Sequence, residues 1–256
     1  MSEDRPGTLI VGTLNLRNTA DRWTERWPMM RDQLVALQPD VLGLQELRRL
    51  SRQGAMLVDG SNTRQHDMAR PYHLYPTYKT GIRRFWEGIA VLTRFPVVSK
   101  ADLHLRTGNR VAQLVTVALP TNVELDFYNT HLDHAPGNDE LRLEQAERLL
   151  VWIDEQQRRP SVLVGDFNSQ PGDPAVIAIQ RRFRSAFAVI HGAEPPMTVP
   201  TPLSRNWGKE EKVLDYIFVS EQIRIHDAWV TFDDVDEAQR LAASDHFGIA
   251  ARISLS

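Results

Sequence analysis

Short apolar runs recur along the whole chain, at residues 8–14, 41–44, 88–93, 111–119, 123–128, 162–164, 213–219, 223–232 and 248–253. They are too short for buried helices and rich in Val, Ile and Leu, so the pattern predicts strands. Many are apolar at successive positions. Both faces of such strands must be covered, which calls for more than one layer. Helical periodicity appears between them. In 28–37, Met30, Leu34 and Leu37 share one face and Pro28 sits acceptably in the first turn. In 139–157 the stripe is Ala146, Leu149, Leu150 and Ile153, and a third helix opens with Asp173 at the N-cap and Pro174 at the first helical position. Polar or Pro-rich segments 48–79 and 191–211 read as loops. Pro120-Thr121-Asn122 between two apolar runs predicts an antiparallel hairpin, which argues against a purely doubly wound fold.

With 256 residues, of which 42% are hydrophobic and 25% charged, the expectation is one ordinary globular domain spanning 1–256. The net charge of -3 argues against a dedicated polyanion binder with a broad basic field. Arginine accounts for all the basic residues except Lys79, Lys100, Lys209 and Lys212, but the arginines are scattered and carry no function as a class. With no cysteine, disulfides and thiolate zinc sites are excluded, so any metal must be held by oxygen or imidazole. No apolar stretch approaches a membrane span and the first residues lack an apolar leader, so the expected location is cytoplasmic. No protein partner is implied.

The informative positions are the polar residues at which strands stop. Run 162–164 breaks at Gly165 and delivers Asp166-Phe167-Asn168. Strand alternation sends Asp166 and Asn168 into one pocket and buries Phe167 on the other side. The competing reading is an Asx-rich turn. An EF-hand loop fits worse, because Pro171 stands where its glycine belongs and Ile177 where its bidentate acid belongs. Run 8–14 stops at Asn15, 41–44 at Gln45-Glu46, and 123–128 runs into Asn129-Thr130-His131. Asp215 lies inside an apolar run, a costly place for an acid unless it is paired, and Ser244-Asp245-His246 precedes the last strand. Each alone has an ordinary structural explanation; together they need a reason to converge.

In this order the elements resemble the endonuclease/exonuclease/phosphatase family, to which DNase I belongs. They are the Asn15 strand, Leu42-Gly-Leu-Gln-Glu46, Glu87-Gly-Ile-Ala-Val-Leu-Thr-Arg94, Asn129-Thr-His131, Gly165-Asp-Phe-Asn168, Leu214-Asp-Tyr-Ile-Phe218 and Ser244-Asp-His246. The resemblance spans nearly the whole chain. It implies an α/β, DNase I-like sandwich of four layers, two mixed β-sheets face to face with helices outside.

It also implies hydrolysis of phosphoester bonds, most of all phosphodiesters, with Mg²⁺ or Mn²⁺. Oxygen donors suit such hard ions. By resemblance, Glu46 is the principal metal ligand, with Asn15 and Asp245 completing the site. Asp166 orients or deprotonates the attacking water, Asn168 holds a non-bridging oxygen, and His246, oriented by Asp215, handles protons or clamps phosphate. His131 contacts the phosphate or assists the leaving group. A zinc site at His131-Leu-Asp133-His134 is rejected, since Asn129 stands where the motif needs a third histidine. Substrate choice is open among small phosphoesters, lipid headgroups and nucleic acid. Arg83-Arg84-Phe85-Trp86, Asn109, Arg110 and Trp207 are candidate substrate contacts. The alternatives are a DNA or RNA nuclease and an inactive relative that only binds phosphate ligands or a protein.

Overall fold

The computed structural model describes residues 7–63, 70–79, 87–105 and 109–255. In chain order the elements are β1 (Leu9–Asn15), α1 (Trp23–Leu37), β2 (Val41–Arg48), α2 (Gln53–Thr63), β3 (His73–Tyr78), β4 (Glu87–Thr93), β5 (Val97–His104), β6 (Val111–Ala118), β7 (Glu124–His131), α3 (Asp139–Asp154), β8 (Ser161–Asp166), α4 (Pro174–Gln180), β9 (Arg184–Ser185), α5 (Ala186–His191), β10 (Asp215–Val219), β11 (Ile223–Thr231), β12 (Val235–Asp236), β13 (Leu241–Ala242) and β14 (Gly248–Leu255). One six-stranded sheet runs β11-β14-β1-β2-β4-β3, and the other runs β5-β6-β7-β8-β10-β9. Each is antiparallel except for one central parallel pair, β1 with β2 and β7 with β8. Parallel neighbours need a crossover, and α1 and α3 supply it.

Side-chain alternation builds the layers. Val11, Val41 and Val91 of the first sheet meet Val115, Phe127, Val162, Val164 and Ile217 of the second. Leu14, Leu42, Leu44 and Leu92 point the other way and are covered by Met30, Leu34 and Leu57 of α1 and α2. On the second sheet Leu114, Tyr128, Leu163 and Phe167 are covered by Leu149, Ile153, Val176 and Ile179 of α3 and α4. The four-layer sandwich follows. Each fully buried side chain of this kind contributes about 1.5–3 kcal/mol. Among the described residues no helix is long and apolar enough to cross a membrane.

A polar tie joins the sheets just inside one end. Asn129 Nδ2 donates across the interface to Leu44 O (3.0 Å) and Ala90 O (2.9 Å), while Gln45 Nε2 donates to Asn129 Oδ1 (2.7 Å) and Thr13 Oγ1 (3.0 Å). The layers nearly touch there: a Cβ on Gly43 would fall 2.3 Å from Val164 Cγ2. Asn129, grouped with His131 in the sequence, therefore serves the sheet interface.

Several elements depart from the sequence reading. Segment 48–79 contains α2 and edge strand β3. Gly54 and Gly60 lower the helical signal of α2, yet a Cβ at either would come within 2.9 Å of Leu74 or Trp27, so they permit close packing. Pro76 disguises β3, and an edge strand is where proline is tolerated. Polar β5 is an edge of the second sheet, mostly exposed, and carries no long apolar run. Helix α1 begins at Trp23, so Pro28 lies inside it. Asp173 does occupy the extended N-cap position of α4, but its Oδ2 accepts from Gln170 N (2.7 Å) instead of capping the helix.

Candidate active site

The topology brings strand ends together. The parallel pairs place Asn15, Glu46, His131 and Asp166 at one end of the sandwich, and the antiparallel neighbours begin there. Asp215 opens β10 opposite Asp166, Glu87 opens β4 opposite Arg48, Arg110 precedes β6, and His246 precedes β14. Residues 151 positions apart thereby meet: Asn15 Nδ2 donates to Asp166 Oδ2 at 3.0 Å.

Local backbone aims the key acids. A regular strand would send Gln45 and Glu46 to opposite faces. A bulge between Leu44 and Leu47, with Glu46 in the left-handed region (φ 56°), lets Gln45 point between the sheets while Glu46 turns to the strand-end cluster. Such a conformation costs a non-glycine residue about 1–3 kcal/mol. At Gly165 (φ 153°) a Cβ would lie 2.1 Å from Thr130 O, so only glycine lets β8 pass there. Phe167 is fully buried, edge-on to Tyr216 and Phe218 at 5.6 and 5.3 Å. Asn168 has left the strand (φ 48°), and its backbone N–H donates to Asp166 Oδ1 at 2.9 Å. Asn168 Nδ2 donates to Leu132 O at 3.2 Å, which leaves the second amide hydrogen unassigned. The Asx turn is therefore present, and it is the backbone of Asn168, not strand alternation of its side chain, that brings it to Asp166.

Asp166 is the centre of the cluster. It is almost wholly buried, and its Oδ2 lies 3.5 Å from His131 Nε2 and 3.8 Å from His246 Nε2. Burial pushes its carboxyl up to about 6, with the Asp215 charge adding to the rise and His246 opposing it. His246 Nδ1 donates to Asp215 Oδ2 at 2.8 Å. Burial alone would lower this imidazole, but Asp215 and Asp166 outweigh it and hold its pKa well above the ordinary value. His131 goes the other way: burial, reinforced by the Arg110 and Lys79 cations, keeps it well below and so neutral. Two histidines beside one carboxylate are thus driven in opposite directions from the ordinary value.

The second focus is Glu46, half-buried at the cleft. Among the described residues its Oε1 and Oε2 receive long amide contacts, 3.4 Å each, from Asn15 Nδ2 and Asn18 Nδ2. Burial and then the charges of Glu87 and Asp245 push its carboxyl up to about 7. Asp245 at the rim pairs with Arg17 Nη1 at 3.3 Å. The carboxylates of Glu46 and Asp245 supply the hard oxygen donors that suit a divalent cation of the Mg²⁺ kind, while Asn15 turns its Nδ2 toward Glu46 and Asp166 and its Oδ1 to Arg17 N. Asp166, Asp215 and His246 also present ligand-type atoms within 4.8 Å of one another. Their Nδ1–Oδ2 hydrogen bond makes that trio better suited to proton handling than to seating an ion.

Sequence reasoning missed Lys79 and Asn18 as neighbours of the site. Lys79, assigned to a loop, is buried and ion-paired with Glu87, which burial would raise but Lys79 and Arg110 hold below the usual carboxylate range. The visible signal was an acid opening an apolar strand at Glu87. Asn18 carried no signal at all. Arg110 is 4% exposed; its Nη2 bonds His134 Nδ1 at 2.8 Å, and its buried Nη1 has no hydrogen-bond partner among the described residues. Asp133 shapes its own loop by accepting from Ala135 N and Asn138 Nδ2. Trp207 leans edge-on toward Phe247, beside His246. Arg83-Arg84-Phe85-Trp86 lies outside the described residues.

Comparison with known proteins gives the same grouping. The sequence profile of the Endonuclease/Exonuclease/phosphatase family matches residues 12–246. Nocturnin of Xenopus laevis is 26% identical over 221 residues, 78% of this chain and 55% of that protein, so the chain spans about half the length of the curated relative it matches. The human Nocturnin catalytic domain with bound sulfate superposes with a TM-score of 0.79 at 22% identity, covering 98% of this chain and 95% of that one. A family protein from Bacteroides thetaiotaomicron gives 0.80 at 21% identity, covering 98% and 99%. A mannosyl-6-phosphatase from the same species gives 0.72 at 20%, covering 96% and 100%. Identity this low in the structures speaks to the fold, and the profile match to the lineage: the chain belongs to the endonuclease/exonuclease/phosphatase family.

Proposed function

We propose that this protein is a divalent-metal-dependent hydrolase of phosphoester bonds, phosphodiesters above all, acting by in-line attack of water. The observation that carries the reading is the geometry around Asp166, whose Oδ2 lies 3.0 Å from Asn15 Nδ2, 3.5 Å from His131 Nε2 and 3.8 Å from His246 Nε2, with His246 Nδ1 2.8 Å from Asp215 Oδ2. One buried carboxylate tuned to about 6 stands between a cationic and a neutral imidazole, next to a Glu46 carboxyl that neighbouring acids help push up to about 7. Pairs of titratable groups driven apart in this way are the mark of acid–base chemistry.

Glu46, Asn15 and Asp245 would hold the ion, Mg²⁺ or Mn²⁺. When bound, it neutralises charge on the phosphoryl oxygens. Asp166, oriented by Asn15 Nδ2 and Asn168 N, accepts the proton of the attacking water. A base with a pKa slightly below neutrality is ionised at working pH yet still basic enough to take that proton. His246, kept cationic by Asp215, presents Nε2–H on the same side and stabilises the growing charge on the phosphoryl oxygens. Asn168 supplies its remaining amide hydrogen to a non-bridging oxygen. The Nη1 of Arg110, without a hydrogen-bond partner among the described residues, would add a cationic donor, and His131 would assist the leaving group. One structural neighbour, the Nocturnin catalytic domain, carries a bound sulfate, and another is named a mannosyl-6-phosphatase, which supports phosphorus chemistry.

The test is a panel of bis-p-nitrophenyl phosphate, p-nitrophenyl phosphate, single- and double-stranded DNA, RNA and sphingomyelin. Each is assayed with Mg²⁺, with Mn²⁺ and with chelator, and Glu46→Gln serves as control. Metal-dependent cleavage of diesters, abolished in the variant, is the expected result. Unchanged activity in both Glu46→Gln and His246→Ala would overturn the site, and ligand binding without any turnover would favour an inactive relative.

A further inference from the structure

Arg26 is fully buried inside α1, beneath the Trp23 ring at 5.0 Å, and its hydrogen bonds all go to backbone carbonyls. Nε faces Ala20 O (3.2 Å) and Asp21 O (3.0 Å). Nη1 donates to Leu16 O and Ala243 O at 2.9 Å, and Nη2 faces Arg17 O, Asn18 O and Ala20 O, each at 2.9 Å. Every nitrogen of the guanidinium therefore has at least two acceptors. The other buried cations near the site are held differently; Lys79 pairs with Glu87, and Arg110 bonds His134.

The surrounding backbone is bent to make this cage. Arg17 (φ 54°), Asn18 (φ 37°), Asp21 (φ 47°) and Arg22 (φ 60°) all adopt the left-handed region without being glycine. Each such residue is individually unfavourable. Converging carbonyl dipoles also repel one another unless a positive charge lies between them. The guanidinium offers five N–H donors in a fixed planar fork, whereas a lysine ammonium offers three from a single atom.

The caged segments flank the active site on both sides. Arg17 N donates to Asn15 Oδ1 at 2.9 Å and its side chain pairs with Asp245; Asn18 reaches Glu46. Ala243 stands just ahead of Ser244-Asp245-His246. Arg26 itself is bonded to none of the acids or histidines of the site. We propose that Arg26 is the positioning residue of this centre: its guanidinium acts as an internal structural cation that locks residues 16–22 to Ala243 and thereby sets Asn15, Asn18 and Asp245 around Glu46. The inference rests on the active-site reading given above.

The experiment compares wild type, Arg26→Lys and Arg26→Ala in the full chain. Hydrogen exchange is followed by mass spectrometry, and kcat and KM are measured on the best diester substrate, with and without free guanidinium at sub-denaturing concentration. Exchange is expected to accelerate in 16–22 and 243–246 while β7 and β8 stay protected. The value of kcat should fall roughly 100-fold, as expected when reacting groups are misplaced by about 1 Å, with a smaller change in KM. Added guanidinium should restore part of kcat in Arg26→Ala and none in Arg26→Lys, whose ammonium fills the hole. Wild-type exchange and kcat in Arg26→Lys would overturn the proposal, as would exchange that rises evenly through both sheets, or an Ala variant that folds but is not rescued. If Arg26→Ala does not fold, Arg26→Lys decides alone. If wild type cleaves nothing on the panel, the enzymatic reading fails while the exchange data still judge Arg26.

Discussion

Replacing Glu46 by Gln removes a charge that burial makes expensive, and it should stabilise the metal-free protein while abolishing its chemistry. The folded-state carboxyl is raised from 4.5 to about 7. The cost of holding it ionised is absent below about pH 4.5, builds between the two values and is complete above pH 7; for a raised carboxyl, stability is lost as pH rises. The gap corresponds to about 3 kcal/mol. Solvent reaching the half-buried side chain through the cleft reduces this to about 1–2 kcal/mol. Little opposes the gain, because the two amide groups from which Glu46 accepts stand far off, at 3.4 Å each. For a chain of this size the melting temperature should rise by roughly 2–8 °C at pH 8 in chelator, and by almost nothing at pH 4.5. Scanning calorimetry at both pH values, with and without Mg²⁺, reads this directly. Wild type should gain stability from the ion and Glu46→Gln should not. A variant no more stable than wild type at pH 8, or equally stabilised at both pH values, would refute the electrostatic argument.

Three further outcomes follow from the same geometry. Asp166→Asn should lose about 10²–10⁴-fold in kcat while folding and unfolding cooperatively at no lower temperature, because the group removed acts as a base and its buried charge is costly to hold; steady-state kinetics beside calorimetry checks it, and a tenfold smaller loss would count against the assignment. Asp215→Asn removes the partner that holds His246 cationic, so burial should dominate and His246 should lose its proton at lower pH. Its stabilising contribution, present below the ordinary histidine value and lost as pH rises through the folded one, disappears with it. Activity at pH 8 should therefore fall more than at pH 6, and parallel pH–rate profiles for the two proteins would contradict this. Gly165→Ala would place a Cβ 2.1 Å from Thr130 O at φ 153°, and should cost about 3 kcal/mol or more in urea unfolding; a loss below about 1 kcal/mol would show that β7 and β8 can separate there.

Side-chain periodicity was enough to read the central strands, the β6–β7 hairpin, α3 and the opposite facing of Asp166 and Phe167, since such patterns report which side of an element is buried. It failed where packing overrides propensity. The glycines of α2 weaken a helix in isolation and strengthen it against Trp27 and Leu74. Pro76 and polar β5 look unlike strands because sheet edges do not need apolar sides. The order of Asn15, Glu46, His131, Asp166, Asn168, Asp215, Asp245 and His246 along the chain carried the family resemblance, but not the charge each group bears. That depends on burial and on neighbours brought in by other strands, which is why His131 and His246, alike in sequence, differ in protonation. The bulge that turns Glu46 toward the site and the carbonyl cage of Arg26 likewise arise only once residues distant in sequence share a space. Local pattern determines what each segment becomes; long-range contacts and the field they create decide what its polar ends can do.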